Sequence, residues 1–209
     1  MSRRPGPTAA AWAAVVGLYL VAGLVSPAMF QVSQVLNILQ VAAFLGLIAT
    51  GQTLVILIGG IDLAQAGVVT LTNIVATSIM LGDAGNIPAA VLACLALAAL
   101  VGMLNGLLVT RLRITPLVAT LAMNAILFGA ALVFTGGAPR GSAAAAFNVI
   151  GQGSVLGVPL SAIVWLGIAL PLAFATTRTV WGRQLYATGA NPRAAELMGV
   201  AVERVQLSA

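Results

Sequence analysis

Six apolar runs follow one another along this chain, at 11–29, 35–58, 63–81, 88–110, 116–134 and 158–176. Each is about 20 residues long, the length an α-helix needs to cross the hydrocarbon layer of a bilayer. Inside lipid every backbone polar group must find its partner within the protein, which leaves helices or closed barrels. The runs are continuous and do not alternate, which selects helices. The sequence therefore predicts an all-α, polytopic membrane protein of about six transmembrane helices, forming one domain over 1–209. Composition agrees. The chain is 61% hydrophobic and 6% charged, whereas a soluble domain has about 25% charged residues.

The first run is broken by Ser26-Pro27, and Arg3-Arg4 precede it. A charged lead and a small-residue end also suit a signal peptide, but the spans that follow favour a retained helix.

Charge sets the orientation. The nine basic residues are all arginine, with no lysine and no histidine. With the N-terminus inside, Arg3, Arg4, Arg111, Arg113, Arg178, Arg183, Arg193 and Arg204 fall on the inner side and only Arg140 falls outside. An arginine-rich inner face is what membrane insertion favours, so both termini are expected in the cytoplasm of a cell (inner) membrane protein. The arginines are dispersed, and no basic patch with interleaved aromatics suggests nucleic acid. The missing lysine and histidine exclude a phosphate-binding lysine loop, Schiff-base chemistry and histidine metal sites. No cofactor or metal is expected. The single Cys94 lies in an alanine- and leucine-rich run and reads as packing. An intramembrane enzyme would need a second aspartate, a Ser/His pair or a metal motif in the spans, and Asp62 has no such mate.

Asp62 is one of four acidic residues and opens the third run behind Gly59-Gly60. Paired glycines permit a helix break there. At about 100° per residue, Asp62, Thr70, Asn73 and Thr77 share one helical face. A polar stripe in a membrane helix faces other helices or a wet pathway. Asp62 is also a good N-cap for the third helix. The spacing makes Gly59, Gly60, Asp62, Thr70, Asn73 and Thr77 candidates for a helix break and translocation pathway. Thr120 and Asn124, one turn apart on the fifth run, join them. Gln40, Gln52, Thr53 and Asn105 are further polar residues within the spans, and Gly102 and Gly106 have the spacing that lets helices approach closely. Uncharged hydroxyls and amides suit a polar, uncharged solute better than an ion.

The tail, 177–209, is the one extended polar segment. Asn191 is a good N-cap, Pro192 fits a first helical turn and Gly199 a stop. They bracket a short helix over 192–198, with Arg193 and Glu196 charged and Leu197 and Met198 apolar. Two turns are marginal alone in water, so the helix is expected to pack against the protein's own inner face or a partner.

The stretches "GGIDLAQAG", "GMLNGLLVTRLRITPLVATLAMNAILFGAALVFTGGAP" and "WGRQLYATGANPRAAELMGVAVERVQLSA" together resemble the monosaccharide (ribose/xylose type) permease subunits of bacterial ABC importers. The resemblance runs from about Gln31 onward. It departs from the family pattern at Ala64, Gln65 and Ala66, and at Phe128, where the family often has arginine. It implies a non-enzymatic subunit that pairs with a second permease subunit, a cytoplasmic ABC ATPase and an extracytoplasmic sugar-binding protein. Asn191, Pro192, Arg193, Glu196, Leu197, Met198 and Gly199 match the loop and helix that contact the ATPase. Family members continue with further spans, so the chain reads as the front portion of a permease. A permease for branched-chain amino acids or another polar solute, and a stand-alone channel or carrier, are the alternatives.

Overall fold

A computed structural model describes residues 6–138 and 141–208. Arg3, Arg4 and Arg140, three of the arginines used in the orientation argument, lie outside the described residues.

All six apolar runs become helices. These are α1 (Pro7–Val25), α2 (Val32–Leu57), α3 (Gln65–Met80), α4 (Ile87–Thr110), α5 (Pro116–Thr135) and, after a connection, α7 (Leu160–Arg178). Five are long and apolar enough to cross a membrane; α3, at 16 residues, is shorter. Its length of about 24 Å falls short of the bilayer core, because the chain stays unwound up to Ala64. Helix α1 ends sooner than the apolar run does. Ser26 is extended (φ −138°, ψ 104°), as a residue before proline tends to be, and Pro27–Phe30 form a separate 3₁₀ turn. Phe30 closes this turn by lying over Gly23 and packing edge-on against Tyr19, centroids 5.8 Å apart.

The connection after α5 holds a short helix, α6 (Ala145–Gln152), and a two-stranded antiparallel hairpin, β1 (Ser154–Val155) with β2 (Val158–Pro159). The tail carries three helices where the sequence predicts one: α8 (Val180–Ala190), α9 (Pro192–Leu197) and α10 (Val202–Ser208). Thr179 caps α8 by accepting a hydrogen bond from Gly182 N.

Two helix groups carry the packing. Ala64, Leu71 and Ile74 meet Val101 of α4 and Met123, Leu127 and Ala131 of α5 in the main buried cluster. Separately, α2 packs on α7 and α8. Gly46 has no Cβ, and the Trp165 ring fills the space one would need, its Nε1 donating to Thr50 Oγ1 at 3.2 Å. Gly189 of α8 is pressed against the Leu57 carbonyl in the same way. The other faces of the long helices are apolar and uncovered, Trp12, Leu24 and Val133 among them, as expected where lipid replaces water.

The two ends of the bundle differ. At one, Gly82 N donates to Ser142 O and Gln40 Nε2 donates to Gly151 O, tying the α3–α4 turn and α2 to the connection after α5. At the other, the α4–α5 turn meets the tail, with Arg111 Nε 3.6 Å from Glu203 Oε2 across two exposed side chains.

Candidate functional site

The site is the break between α2 and α3. Helix α2 stops at a complete glycine cap: Gly59 takes φ +82°, its N–H donates to Ile56 O, and Gly60 N donates to Val55 O, both at 2.9 Å. This is the Schellman arrangement, in which a left-handed residue ends the helix and the last carbonyls are satisfied from behind. The left-handed step belongs to Gly59, where a side chain would be strained.

From Gly60 to Ala64 the backbone is unwound in an apolar setting, so its polar groups need partners. Side chains from α2 and α5 supply several of them. Gln52 of α2 faces Asp62. With the amide oriented to match its surroundings, its nitrogen donates to Asp62 O at 3.1 Å and its oxygen accepts from Asp62 N at 3.3 Å. Gln65, one of the departures from the family pattern, lies 2.8 Å from the same amide and joins this network with its own amide turned so that its oxygen accepts from the Gln52 nitrogen. Thr120 of α5 accepts from Leu63 N at 3.0 Å. Its single hydroxyl proton goes to Pro116 O at 2.8 Å in preference to Ile61 O at 3.3 Å.

Asp62 is not the N-cap of α3. That position is Ala64, which has no capping side chain. Asp62 Oδ1 instead accepts from Ala64 N at 2.8 Å, a local turn of the kind aspartate favours. The cap is provided from another helix: Asn124 Oδ1 accepts from Gly67 N at 2.8 Å, satisfying one of the orphan donors of the first turn. A side chain at residue 67 would collide with Asn124 and Leu127, so Gly67 is what lets α5 come close enough to do this.

Asp62 makes no ion pair among the described residues. Its half-buried carboxylate lines an open cavity of about 1050 Å³ between the unwound segment, the last turns of α4, the start of α5 and α10. Gly59, Gly60 and Thr120 line it too, as do Asn105 and Pro192. Asn105 is 8% exposed, and its Oδ1 has no hydrogen-bond partner. Among the described residues no group of His, Cys, Asp and Glu could hold a metal ion.

The rest of the polar stripe is elsewhere. Thr70 and Thr77 donate to carbonyls of their own helix, Ala66 O at 2.9 Å and Asn73 O at 3.0 Å, and Asn73 is exposed. None of the three lines the cavity. They flank the α3 face that packs on α4 and α5.

The tail candidates form a compact turn. Asn191 Oδ1 accepts from Ala194 N at 3.1 Å, Pro192 starts α9 and Gly199 takes φ +84°. Helix α9 ends at Leu197, and Met198 is its C-cap residue, one position short of the predicted end. Ala195 is buried, while Leu197 and Met198 are 90% and 85% exposed.

Residues 34–209 match the family described as "Branched-chain amino acid transport system / permease component". The chain belongs to this permease family. It is 36% identical over 200 residues to the ribose import permease protein RbsC of Escherichia coli K12, covering 93% of this chain and 61% of that protein. RbsC of Bacillus subtilis 168 is 34% identical over 192 residues, covering 91% and 59%. The autoinducer 2 import system permease protein LsrC of Enterobacter sp. 638 is 35% identical over 199 residues, covering 95% and 58%. The chain thus spans about three-fifths of the length of these curated relatives. No solved structure matches it.

Sequence reasoning marked Gln52 and Asn105 only as polar residues within spans. The signal available for Gln52 was a side-chain amide in an apolar helix just before a glycine break. Nothing in the sequence linked Asn105 to Asp62, because α4 and the break meet only in three dimensions.

Proposed function

We propose that this chain forms the translocating membrane subunit of an ATP-driven importer and passes a monosaccharide handed over by an extracytoplasmic binding protein. The observation that carries this reading is the similarity to ribose import permeases along 93% of the chain. The break supports it, since an unwound, hydrogen-bonded segment holding a carboxylate at a cavity is how membrane transporters build solute contacts. The membrane subunit supplies the path and a partner supplies the hydrolysis. Asp62, with Gly59, Gly60, Thr120 and Asn124 shaping the break, belongs to the path. Thr70, Asn73 and Thr77 would contact solute or a neighbouring subunit.

The end carrying Arg111, Arg113 and the tail is the cytoplasmic end in this reading, and both termini lie there. Helix α9 is the coupling element. Buried Ala195 seats it on the protein, and exposed Leu197 and Met198 insert into the ATPase, with Arg193 and Glu196 at the rim and Asn191, Pro192 and Gly199 fixing the turn. A second permease subunit, the same chain or a homologue, completes the assembly in the bilayer.

The test is uptake in proteoliposomes containing this chain, its ATPase and its binding protein. ATP-dependent accumulation of radiolabelled D-ribose or another monosaccharide is expected. Accumulation of leucine without any monosaccharide would replace this reading with a branched-chain amino acid permease. Uptake by the chain without ATPase would replace it with a stand-alone carrier.

A further inference from the structure

Hydrogen-bonding groups from the unwound segment and from α4 line the cavity beside the break. One is Asp62, whose Oδ1 is occupied by Ala64 N and whose backbone is held by Gln52. The other carboxylate oxygen has no hydrogen-bond partner among the described residues. Asn105 of α4 lines the same cavity; it is more than nine-tenths buried, and its Oδ1 is enclosed without a hydrogen-bond partner. A buried amide without a partner is costly, and in an apolar helix that cost marks a group waiting for a ligand or a neighbour. Small residues line it too: nothing lies within 4 Å of where a Gly102 side chain would start, and Gly106 is covered by Leu207 of α10.

We propose that Asp62 and Asn105 form a subsite for an uncharged polyhydroxy solute, with Gln52 and Thr120 as positioning residues that aim the carboxylate. The inference deepens the proposed monosaccharide transport and rests on it. The chemistry of the pair selects this ligand class. A carboxylate accepts hydrogen bonds from hydroxyls, and an amide both donates and accepts. A sugar carries hydroxyls all around its ring to offer to such groups, with an apolar ring face left for Met103 and Ile61, which also line the cavity. A volume of about 1050 Å³ is at the upper end for small-molecule pockets, which suits a site that must also release its cargo. A zwitterionic amino acid would fit less well, because its own carboxylate would meet Asp62 unless it turned toward Arg113.

The competing occupant of this wall is another membrane helix, docking on Gly102 with Asn105 as an interhelical hydrogen bond. A reporter cysteine separates the two. In the assembled importer with Cys94→Ala, Gly102→Cys is exposed to a hydrophilic methanethiosulfonate reagent from the cytoplasmic side. The subsite predicts reaction, slowed at least fivefold by saturating D-ribose, and loss of that protection when Asn105→Leu is added. Asn105→Leu should also lower ribose uptake at least tenfold while the ATPase still co-purifies, and Asn105→Gln should retain part of it. An unreactive Gly102→Cys means that a helix covers the wall, and the proposal fails. A reactive cysteine without protection, or Asn105→Leu transporting at the wild-type rate, also overturns it. Those failures leave monosaccharide uptake by the wild type intact. Wild-type uptake of leucine alone defeats the functional reading and the ligand class together.

Discussion

The break between α2 and α3 and the turn around α9 are both short irregular segments, and they handle their exposed groups in opposite ways. At the break, the unwound residues are held by side chains from α2 and α5, which pair Asp62 N, Asp62 O and Leu63 N, while Asn124 of α5 caps the first turn of α3. At α9, the turn is held by its own Asn191 and Gly199, and two large apolar side chains are left standing out. The difference follows from the solvent. Within the membrane an unmatched backbone group is too costly to leave, so rigidity is imposed from neighbours. Outside it, water satisfies the backbone, and an element kept for contact can leave its apolar surface uncovered. In the proposed reading one region is shaped to hold a position, the other to be gripped.

The largest expected effect is at the gripped region. Leu197→Asp should weaken association with the ATPase by about 2–4 kcal/mol, the range for a buried interface anchor, while leaving thermal stability in detergent unchanged. Co-purification yield and a melting curve measure the two quantities separately. A lower melting temperature with full co-purification would mean that Leu197 packs on this chain and that the contrast is misplaced.

At the held region, Asn124→Leu should cost about 1–3 kcal/mol of stability, because Gly67 N loses its acceptor in an apolar place. Asn124→Asp retains an acceptor and should cost less. Thermal unfolding followed by tryptophan fluorescence reads the difference. Equal losses for both variants would show that packing, not the cap, is what Asn124 contributes.

A smaller effect is expected at Asp62. Asp62→Asn retains the oxygen that accepts from Ala64 N, so the fold should be unaffected, and only the charge facing the cavity is lost. Solute uptake should fall about fivefold, equivalent to roughly 1 kcal/mol, with melting temperature constant. Asp62→Ala loses both functions and should lower both readouts. If Asp62→Asn transports normally, the carboxylate is a turn-former only.

The same contrast explains what was legible in the sequence. The helices were, because apolar length is a local property: each run became a helix, and Pro116 and Pro192 began theirs where the pattern placed them. The break was visible as Gly59-Gly60 and Asp62, and Thr120 with Asn124 as two polar residues on one face. Their task was not visible. Leu63 meets Thr120 and Gly67 meets Asn124 across 57 residues, and no local rule says that a helix will take its cap from another helix. Asp62 looked like the cap because aspartate is good at capping, yet its carboxylate reaches only the residue before the helix. The α6 segment and the hairpin were hidden for a related reason. Two-residue strands have no period to read, and their pairing depends on Leu156 and Gly157 both taking positive φ. In the tail, α8 mixes apolar and polar residues, and it is fixed by Gly189 against α2, a contact that its own composition does not announce.

The smallest effect is expected at the Arg111–Glu203 pair between the α4–α5 turn and α10. The pair is 3.6 Å apart, with the two side chains 68% and 60% exposed. Exposed pairs gain little, because water screens the attraction and two long side chains lose freedom to form it. A double-mutant cycle with Arg111→Gln and Glu203→Gln should therefore give a coupling of about 0.2–1 kcal/mol in thermal stability. The coupling should shrink as salt rises from about 0.01 M to about 0.15 M, as the Debye length falls from about 30 Å to about 8 Å. A tail held mainly by apolar contacts, Leu185, Val202 and Val205 being buried there, loses little when the pair goes. Such a tail can shift against the membrane helices without first breaking a strong bond, as the proposed coupling role requires. A salt-independent coupling well above 1 kcal/mol would show instead that charge locks α10 to the α4–α5 turn, and the tail would then belong with the held region, not the gripped one.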